Sequence, residues 1–202
     1  MESNQIHRTA VSQERIISEA IDLAKEDGWN KVTVRAIAGR LKYQPPVLYQ
    51  FFKNKEELLQ MIAARGFDLL TANMRDAADA EDLPEDKLLA FAMARFRFSV
   101  EEQCLQNLMF STAHPCWHKE MIFSSMARTR NLVEGLIKNI TKRQDDCSDL
   151  ITNFIALTKG YTFFATELPA ALSQDFFFGN STAEDAFLSA MKHFINSIKR
   201  DG

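Results

Sequence analysis

Residues 33–58 read TVRAIAGRLKYQPPVLYQFFKNKEEL, and this stretch decides the fold. Thr33 is a good N-cap residue, and the apolar spacing after it predicts a short helix, VRAIAGRL. Gln44 and Pro45 each precede a proline, so both are expected to be extended. Pro46 can then begin a second short helix, PVLYQFF, because its missing N–H costs no hydrogen bond at the first helical position. Two short helices separated by a brief break form the helix-turn-helix pattern.

The flanking sequence supplies the other helices of such a domain. Apolar spacing predicts a first helix over residues 13–27, with Ser12 as its N-cap and Gly28 at its end. Asn54 and Glu57 form an Asx-x-x-Glu pattern, which resembles the capping box and predicts the start of a long fourth helix. The N-terminal part is therefore predicted to be a three-helix domain followed by a longer helix.

The rest of the chain is also helical in pattern. Pro84, Pro115 and Ser181–Thr182 each precede a stretch with helical apolar spacing, and residues 147–168 form another. We therefore predict an all-α protein with roughly nine helices. Its two predicted domains are a helix-turn-helix domain over residues 1–56 and a ligand-binding and dimerisation domain over residues 57–202.

Charge is segregated along this chain of 202 residues with net charge −3. Residues 31–55 carry six basic side chains and no acidic one, whereas residues 76–86 carry six acidic side chains and no basic one. A local basic stretch on an acidic chain indicates a polyanionic partner for that stretch, although a solvated face is the alternative. The absence of a long apolar run or a signal peptide, with three cysteines in no CxxC spacing, predicts a cytoplasmic protein without a membrane partner.

Residues 14–59 resemble the N-terminal DNA-binding domain of the TetR family of transcriptional regulators. The resemblance rests on the first helix ending at Gly28, on TVRxIA at 33–38, on LYxFF at 48–52 and on KNKEEL at 53–58. It implies a homodimeric, usually repressing regulator whose N-terminal domain binds a palindromic operator. The resemblance also implies that a small molecule bound in the C-terminal domain would move the two DNA-binding domains of the dimer.

The sequence departs from the family at three positions. The family commonly has Gly in the turn, then Ser, then Gly early in the recognition helix, where this chain has Lys42, Gln44 and Pro46. Lys42 is therefore expected to adopt a left-handed conformation at a cost of ~1 kcal/mol, unless the turn itself differs.

Ten side chains are expected at the DNA interface. The resemblance assigns a phosphate contact to Tyr49, and hydroxyl and cationic groups suit other phosphates, while amide groups and apolar rings suit base edges. Phe51 and Phe52 are interpreted as core. The ten residues are Thr33, Arg35, Gln44, Pro45, Pro46, Val47, Tyr49, Gln50, Lys53 and Lys55.

The C-terminal part is rich in Phe and Met, which line apolar ligand sites and also fill cores. We expect a small hydrophobic effector there and a homodimer through the last two long helices, where Ala183, Ala186 and Ala190 allow close approach. The candidate effector-binding residues are Phe91, Phe96, Met109, Phe110, Trp117, Met121, Phe154 and Tyr161.

Other function classes receive less support from the sequence. His114, Cys116 and His118 lie close together, but Cys116 would lie off the face that the two histidines share, so neither a metal site nor a cofactor is predicted. There is no glycine-rich phosphate loop, HExxH or GxSxG motif, so an enzyme is a weak alternative. A helical adaptor that binds no DNA is the stronger alternative.

Overall fold

The computed structural model describes residues 11–110, 120–168 and 177–200. In these ranges the chain forms nine α-helices and no strand, which confirms the all-α prediction. The helices are α1 (Gln13–Asp27), α2 (Val34–Leu41), α3 (Pro45–Leu48), α4 (Lys55–Asp79), α5 (Pro84–Glu101), α6 (Gln103–Met109), α7 (Glu120–Thr141), α8 (Ser148–Thr166) and α9 (Ala183–Arg200).

The chain divides into two compact units, Met1–Ala63 and Ala64–Gly202. The first contains α1 to α3 and the first turns of α4. The sequence-based boundary after residue 56 stays a prediction. None of the helices in the described part of the chain is long and apolar enough to cross a membrane.

Local capping sets the ends of α1 and α2, as the sequence predicts. The Ser12 side chain accepts a hydrogen bond from the Arg15 N–H at 3.3 Å, and Gly28 ends α1 with φ 81°. The Thr33 hydroxyl accepts from the Ala36 N–H at 3.1 Å, which satisfies a donor at the start of α2. Lys42 ends α2 in the left-handed region, with φ 60° and ψ 38°, which confirms the conformation expected of a turn position without glycine.

The third helix differs from its prediction. It begins at Pro45 and ends at Leu48, whereas the sequence predicts a start at Pro46 and an end at Phe52. Gln44 is extended, with φ −83° and ψ 142°, but Pro45 is helical, because the first two helical positions need no N–H donor. After Leu48 the chain continues as i→i+3 turns, with the Phe51 N–H donating to the Leu48 carbonyl at 3.0 Å.

The core of the first unit explains this short helix. Leu48 is fully buried and Phe52 is only 3% exposed, so both side chains belong to the core, and the core interpretation of Phe52 is confirmed. Phe51 is half-buried. Leu48 and Phe52 share the core of this unit with buried side chains from α1, α2 and α4, including Ile16, Ala20, Leu23, Ile37, Leu58 and Ile62.

Helix α5 is central in the second unit, because it contacts α6, α7, α8 and α9. The Phe96 ring of α5 stacks on the Phe187 ring of α9, with ring centroids 4.9 Å apart. Thr182 and Asp185 cap the start of α9 reciprocally, and the helix begins directly after the predicted start at Ser181–Thr182. Glu102 separates α5 from α6, and the predicted start at Pro115 lies outside the described residues.

Candidate nucleic-acid interface and effector cavity

The turn after α2 and the short α3 present the residues predicted to read bases. Gln44, Pro46 and Gln50 are exposed, whereas Pro45 and Val47 are half-buried. The N–H of Val47 donates to the Gln44 carbonyl at 3.0 Å, so the backbone around the two prolines is internally hydrogen-bonded. The segment therefore offers amide side chains and apolar rings at its surface, and both suit base edges.

Tyr49 ends α3 and lies at the surface. Its side chain is 51% exposed, although its ring lies with its centroid 6.1 Å from that of the buried Phe52. The ring thus lies near a core side chain while the Tyr49 side chain stays exposed to solvent. This arrangement orients a hydroxyl donor without burying it, which suits a contact with a phosphate oxygen.

The remaining predicted phosphate contacts lie on α2 and around the start of α4. Thr33 and Arg35 are exposed at the beginning of α2, and Lys53 is exposed just before α4. Lys55 is half-buried, and its ammonium donates to the Trp29 carbonyl at 3.3 Å. An ammonium has three donors, so Lys55 keeps the capacity for a phosphate contact.

The backbone donors at the start of α4 are partly used by the protein itself. The Glu57 N–H donates to the Asn54 Oδ1 at 2.9 Å, and the Glu57 carboxylate accepts from the Lys53 N–H at 2.6 Å. These bonds confirm the Asx-x-x-Glu start that the sequence predicts. They also place an acidic side chain beside Lys53, so this helix start is less electropositive than its lysines indicate.

Three basic residues of residues 31–55 were not among the predicted contacts, namely Lys31, Arg40 and Lys42, and the last two differ in their surroundings. Arg40 is engaged by Glu26 and Glu19, and its hydrogen bond to Glu26 raises the pKa of its guanidinium above the ordinary value. Lys42 is exposed at the turn between α2 and α3. The sequence analysis considered the conformation of Lys42 but not its side chain as a DNA contact. Its place between the two helices of the helix-turn-helix was the available signal for such a contact.

A cavity of ≈ 650 Å³ lies in the second unit among α4, α5, α7 and α8. Most of its lining is apolar and comes from all four helices, and Phe123 and Ile155 are exposed, so the cavity reaches the surface near them. The apolar lining residues are Phe67, Leu70, Met74, Phe91, Phe110, Phe123, Met126, Ala127, Val133, Ile151, Phe154 and Ile155.

The cavity brings together three of the eight predicted effector residues, namely Phe91, Phe110 and Phe154. Phe96, Met109 and Tyr161 are not in its lining: Phe96 stacks on Phe187, Met109 is 1% exposed, and the Tyr161 ring lies 5.6 Å from that of Phe187. Trp117 lies outside the described residues, as does the side chain of Met121, which is a residue of α7.

The sequence analysis missed three cationic side chains in the cavity lining, those of Arg95, Arg130 and Lys159, and the first and last are the less exposed ones. Arg95 is 8% exposed, and burial lowers the pKa of its guanidinium to about 10. Lys159 is half-buried, and burial, followed by the charge of Arg95, lowers the pKa of its ammonium to about 8. Lys159 is the only charged residue of the run IALTKGYTFF, and Arg95 lies with Arg97 in the otherwise apolar run FAMARFRF. A charge inside an apolar run was the signal that the sequence offered.

A second depression of ≈ 600 Å³ has a different character. Four carboxylates line it, from Glu81, Asp86, Glu184 and Asp185, and Arg97 pairs with Glu184 at 2.8 Å. Its acidic surface does not match a hydrophobic ligand. Among the described residues there is no cluster of three potential metal ligands, and His114, Cys116 and His118 lie outside them.

The fold and the first site together define a helical protein with an N-terminal helix-turn-helix domain. The family model described as "Bacterial regulatory proteins, tetR family" matches residues 16–62. Residues 16–62 are therefore a DNA-binding domain of the TetR type. Regulators of this family bind operator DNA and are non-enzymatic, which agrees with the prediction that the chain is not an enzyme.

Individual relatives support this assignment over part of their length. The chain is 27% identical over 94 residues to the uncharacterized HTH-type transcriptional regulator YobS of Bacillus subtilis, covering 46% of this chain and 49% of YobS. It is 35% identical over 72 residues to the class C tetracycline repressor protein of Escherichia coli, covering 36% of this chain and 32% of that protein. The chain thus spans half or less of the curated relatives it matches.

A solved structure extends the similarity of fold to most of the chain. The TetR family transcriptional regulator PfmR of Thermus thermophilus superposes with a TM-score of 0.62 at 20% identity. The match covers 90% of this chain and 97% of PfmR. At this identity the match concerns the fold alone.

Proposed function

We propose that this protein is a sequence-specific DNA-binding repressor that a small hydrophobic effector releases from a palindromic operator. The observation that carries the proposal is the predominantly apolar cavity of ≈ 650 Å³ in the second unit. Its volume lies within the range of about 300–1,000 Å³ typical of small-molecule sites, and its lining has the usual apolar majority with a few polar groups.

The proposed interface with DNA consists of the ten residues predicted from the sequence. In the first unit, the exposed amides of Gln44 and Gln50 suit base edges, and the exposed phenol of Tyr49 suits a phosphate. The cationic groups of Arg35 and Lys53 are also exposed and would add contacts with phosphates that are independent of sequence.

The proposed release mechanism is a population shift. The effector must bind the conformation that disfavours the operator more tightly than the conformation that favours it, and coupling of ~1–3 kcal/mol changes operator affinity by about 5–150-fold. Phe67, Leu70 and Met74 give an effector direct contacts with α4, the same helix that begins at Lys55.

We further propose a cytoplasmic homodimer that associates through α8 and α9. Ile155 is 48% exposed and Phe163 is 51% exposed, both on α8, and such side chains favour coverage by a second copy. On α9, Ala183, Ala186 and Ala190 are half-buried and small enough for close helix packing. Two helices from each copy would form a four-helix interface.

Selection of bound sequences from a random pool of DNA duplexes tests the first part of the proposal. Enrichment of a palindromic sequence is expected from a dimeric operator-binding protein. A failure to enrich any sequence would favour the alternative of a helical adaptor with this fold.

A variant with a filled cavity tests the second part. Ala127 is a half-buried lining residue, so Ala127→Trp is expected to occupy the cavity and to abolish operator release by hydrophobic compounds, without reducing operator affinity. Ala80→Trp is the matched control, because Ala80 is exposed and outside the lining. Equal release of both variants would contradict an effector site in this cavity.

A further inference from the structure

The cavity contains a cationic end that its apolar lining does not explain. The guanidinium carbon of Arg95 lies 5.0 Å from the centroid of the Phe110 ring, and the Lys159 Nζ lies 3.3 Å from the same centroid. Arg95 belongs to α5 and Lys159 to α8, so two helices bring two positive charges to one aromatic ring that also lines the cavity.

The polar partners of Arg95 are neutral. The Arg95 Nη1 donates to the Ser99 hydroxyl at 2.7 Å and to the Gln106 Oε1 at 3.3 Å. Within residues 11–110, 120–168 and 177–200, no carboxylate forms an ion pair with Arg95 or Lys159. Arg95 and Lys159 each also make a favourable cation–π contact with the Phe110 ring.

Arg130 lines the same cavity, and unlike Arg95 its charge is neutralised by a carboxylate. Its Nη1 lies 2.9 Å from the Glu134 Oε2, and its Nη2 donates to the Ser148 hydroxyl at 3.2 Å. Arg95 is more buried than Arg130 and has no such counter-charge in the described part of the chain. Burial of an uncompensated charge is costly, and such groups concentrate at functional sites.

We propose that the effector is a hydrophobic carboxylate, with its apolar body among the phenylalanines of the cavity and its carboxylate bound by Arg95 and Lys159. This inference rests on the proposed effector function of the cavity and specifies the chemical class of the ligand. Nη1 of Arg95 donates its hydrogen bonds to Ser99 and Gln106, so Nε and Nη2 can donate to one oxygen of the ligand. The Lys159 ammonium can donate to the second oxygen.

Matched pairs of probes test this assignment in the full-length protein. Decanoate and 1-decanol share a linear chain, and 2-naphthoate and 2-naphthalenemethanol share an aromatic body, so each pair differs only in the charged group. We expect the carboxylate of at least one pair to bind about 10- to 100-fold more tightly than its alcohol, since hydrogen bonds to charged groups are the stronger ones. Calorimetric titration measures the affinities, and release of the selected operator measures function.

Two variants test whether Lys159 and Arg95 cause the preference for a carboxylate over its alcohol. Lys159→Met keeps the apolar stem and is expected to remove most of the carboxylate preference while leaving alcohol affinity nearly unchanged. Lys192→Met is the matched control, because Lys192 is exposed on α9 and does not line the cavity. Arg95→Met is expected to act in the same direction, with folding checked by its unfolding transition, and Lys159→Met suffices if Arg95→Met does not fold.

The outcomes separate this inference from the proposed function. If the alcohols bind as tightly as the carboxylates and release the operator, the cavity is an effector site but the carboxylate assignment is wrong. If decyl phosphate binds more tightly than decanoate, the charged group is a phosphate and the assignment is also wrong. If none of these probes binds and Ala127→Trp behaves like Ala80→Trp, both proposals fail.

Discussion

The Arg40 guanidinium is held by the Glu26 carboxylate through two parallel hydrogen bonds, from Nη1 to Oε2 at 2.7 Å and from Nη2 to Oε1 at 2.9 Å. Glu19 is a second acidic partner, and both carboxylates belong to α1. Arg40 therefore connects α2 to α1, and its charge is already balanced by the protein. Not every basic residue of the helix-turn-helix region is available for DNA.

This pairing predicts a contrast between two cations of the same segment. Lys53→Met is expected to lower the slope of log affinity against log salt by about 1, because each phosphate contact releases about one counterion. Arg40→Met is expected to leave that slope unchanged while lowering stability. Operator affinity at several salt concentrations measures the slope, and an equal drop for both variants would place Arg40 at the DNA.

The roles proposed for Tyr49 and the glutamines predict different patterns of loss. Tyr49→Phe removes a phosphate donor and is expected to weaken binding to an operator and its single-base variants about equally. Gln44→Ala and Gln50→Ala are expected to relax preference at particular base pairs, each costing on the order of 1–3 kcal/mol against the best site. The measurement is affinity for the operator and each of its single-base variants, and unchanged affinity in Tyr49→Phe would remove this segment from the interface.

The position of Pro46 within α3 predicts an effect on stability. Pro46→Ala can keep the helical backbone, whereas Pro46→Gly gives the unfolded chain more freedom and is expected to cost roughly 0.5–1 kcal/mol more than Pro46→Ala. Urea unfolding of the full chain measures the difference. Equal midpoints for the two variants would mean that the conformation of this residue does not limit the stability of the short helix.

Local rules explain which parts of the first unit were predictable. Ser12, Thr33 and the pair Asn54–Glu57 act within four residues of their own position, so the sequence alone predicts the caps that the structure contains. The end of α3 was not predictable in this way. It depends on Leu48 and Phe52 both reaching a core that α1, α2 and α4 form around them.

The cavity was harder to predict because it depends on distant pairings. Phe91 and Phe96 share α5 but point about 140° apart around it, since successive residues turn by about 100°. Phe91 lines the cavity, whereas Phe96 stacks on Phe187, and amino-acid composition cannot distinguish these two roles. Arg95 and Lys159 likewise meet at Phe110 only because α5 and α8 pack together.

The proposed dimer predicts the effect of a charge on the exposed face of α8. Phe163→Glu is expected to yield a monomer, because a carboxylate in an apolar interface has no partner there. Val100→Glu is the matched control, since Val100 is 43% exposed on α5, outside the proposed interface. Sedimentation velocity at micromolar protein measures the assembly, and a monomeric wild type or a dimeric Phe163→Glu would contradict an interface through α8 and α9.

The depressed pKa of Lys159 predicts the pH dependence of carboxylate binding. The ammonium titrates near pH 8 in the unliganded protein, because burial and the charge of Arg95 disfavour its protonated form. A bound carboxylate favours the protonated form, so binding takes up a proton above that pH. Affinity for decanoate is therefore expected to be constant from about pH 6, where the ligand is ionised, to about pH 8 and to fall above it, by at most ~10-fold per pH unit.

The surrounding groups determine whether this profile can be assigned to Lys159. Arg95 faces it from α5 with a pKa of about 10, Arg130 lines the cavity from α7 in its pair with Glu134, and the lining residues of α4 are apolar. The fall near pH 8 is therefore expected to vanish in Lys159→Met and to persist in Lys192→Met. 1-Decanol is expected to show no such fall, and a decanoate profile that is flat to pH 10 would show that Lys159 does not bind the carboxylate.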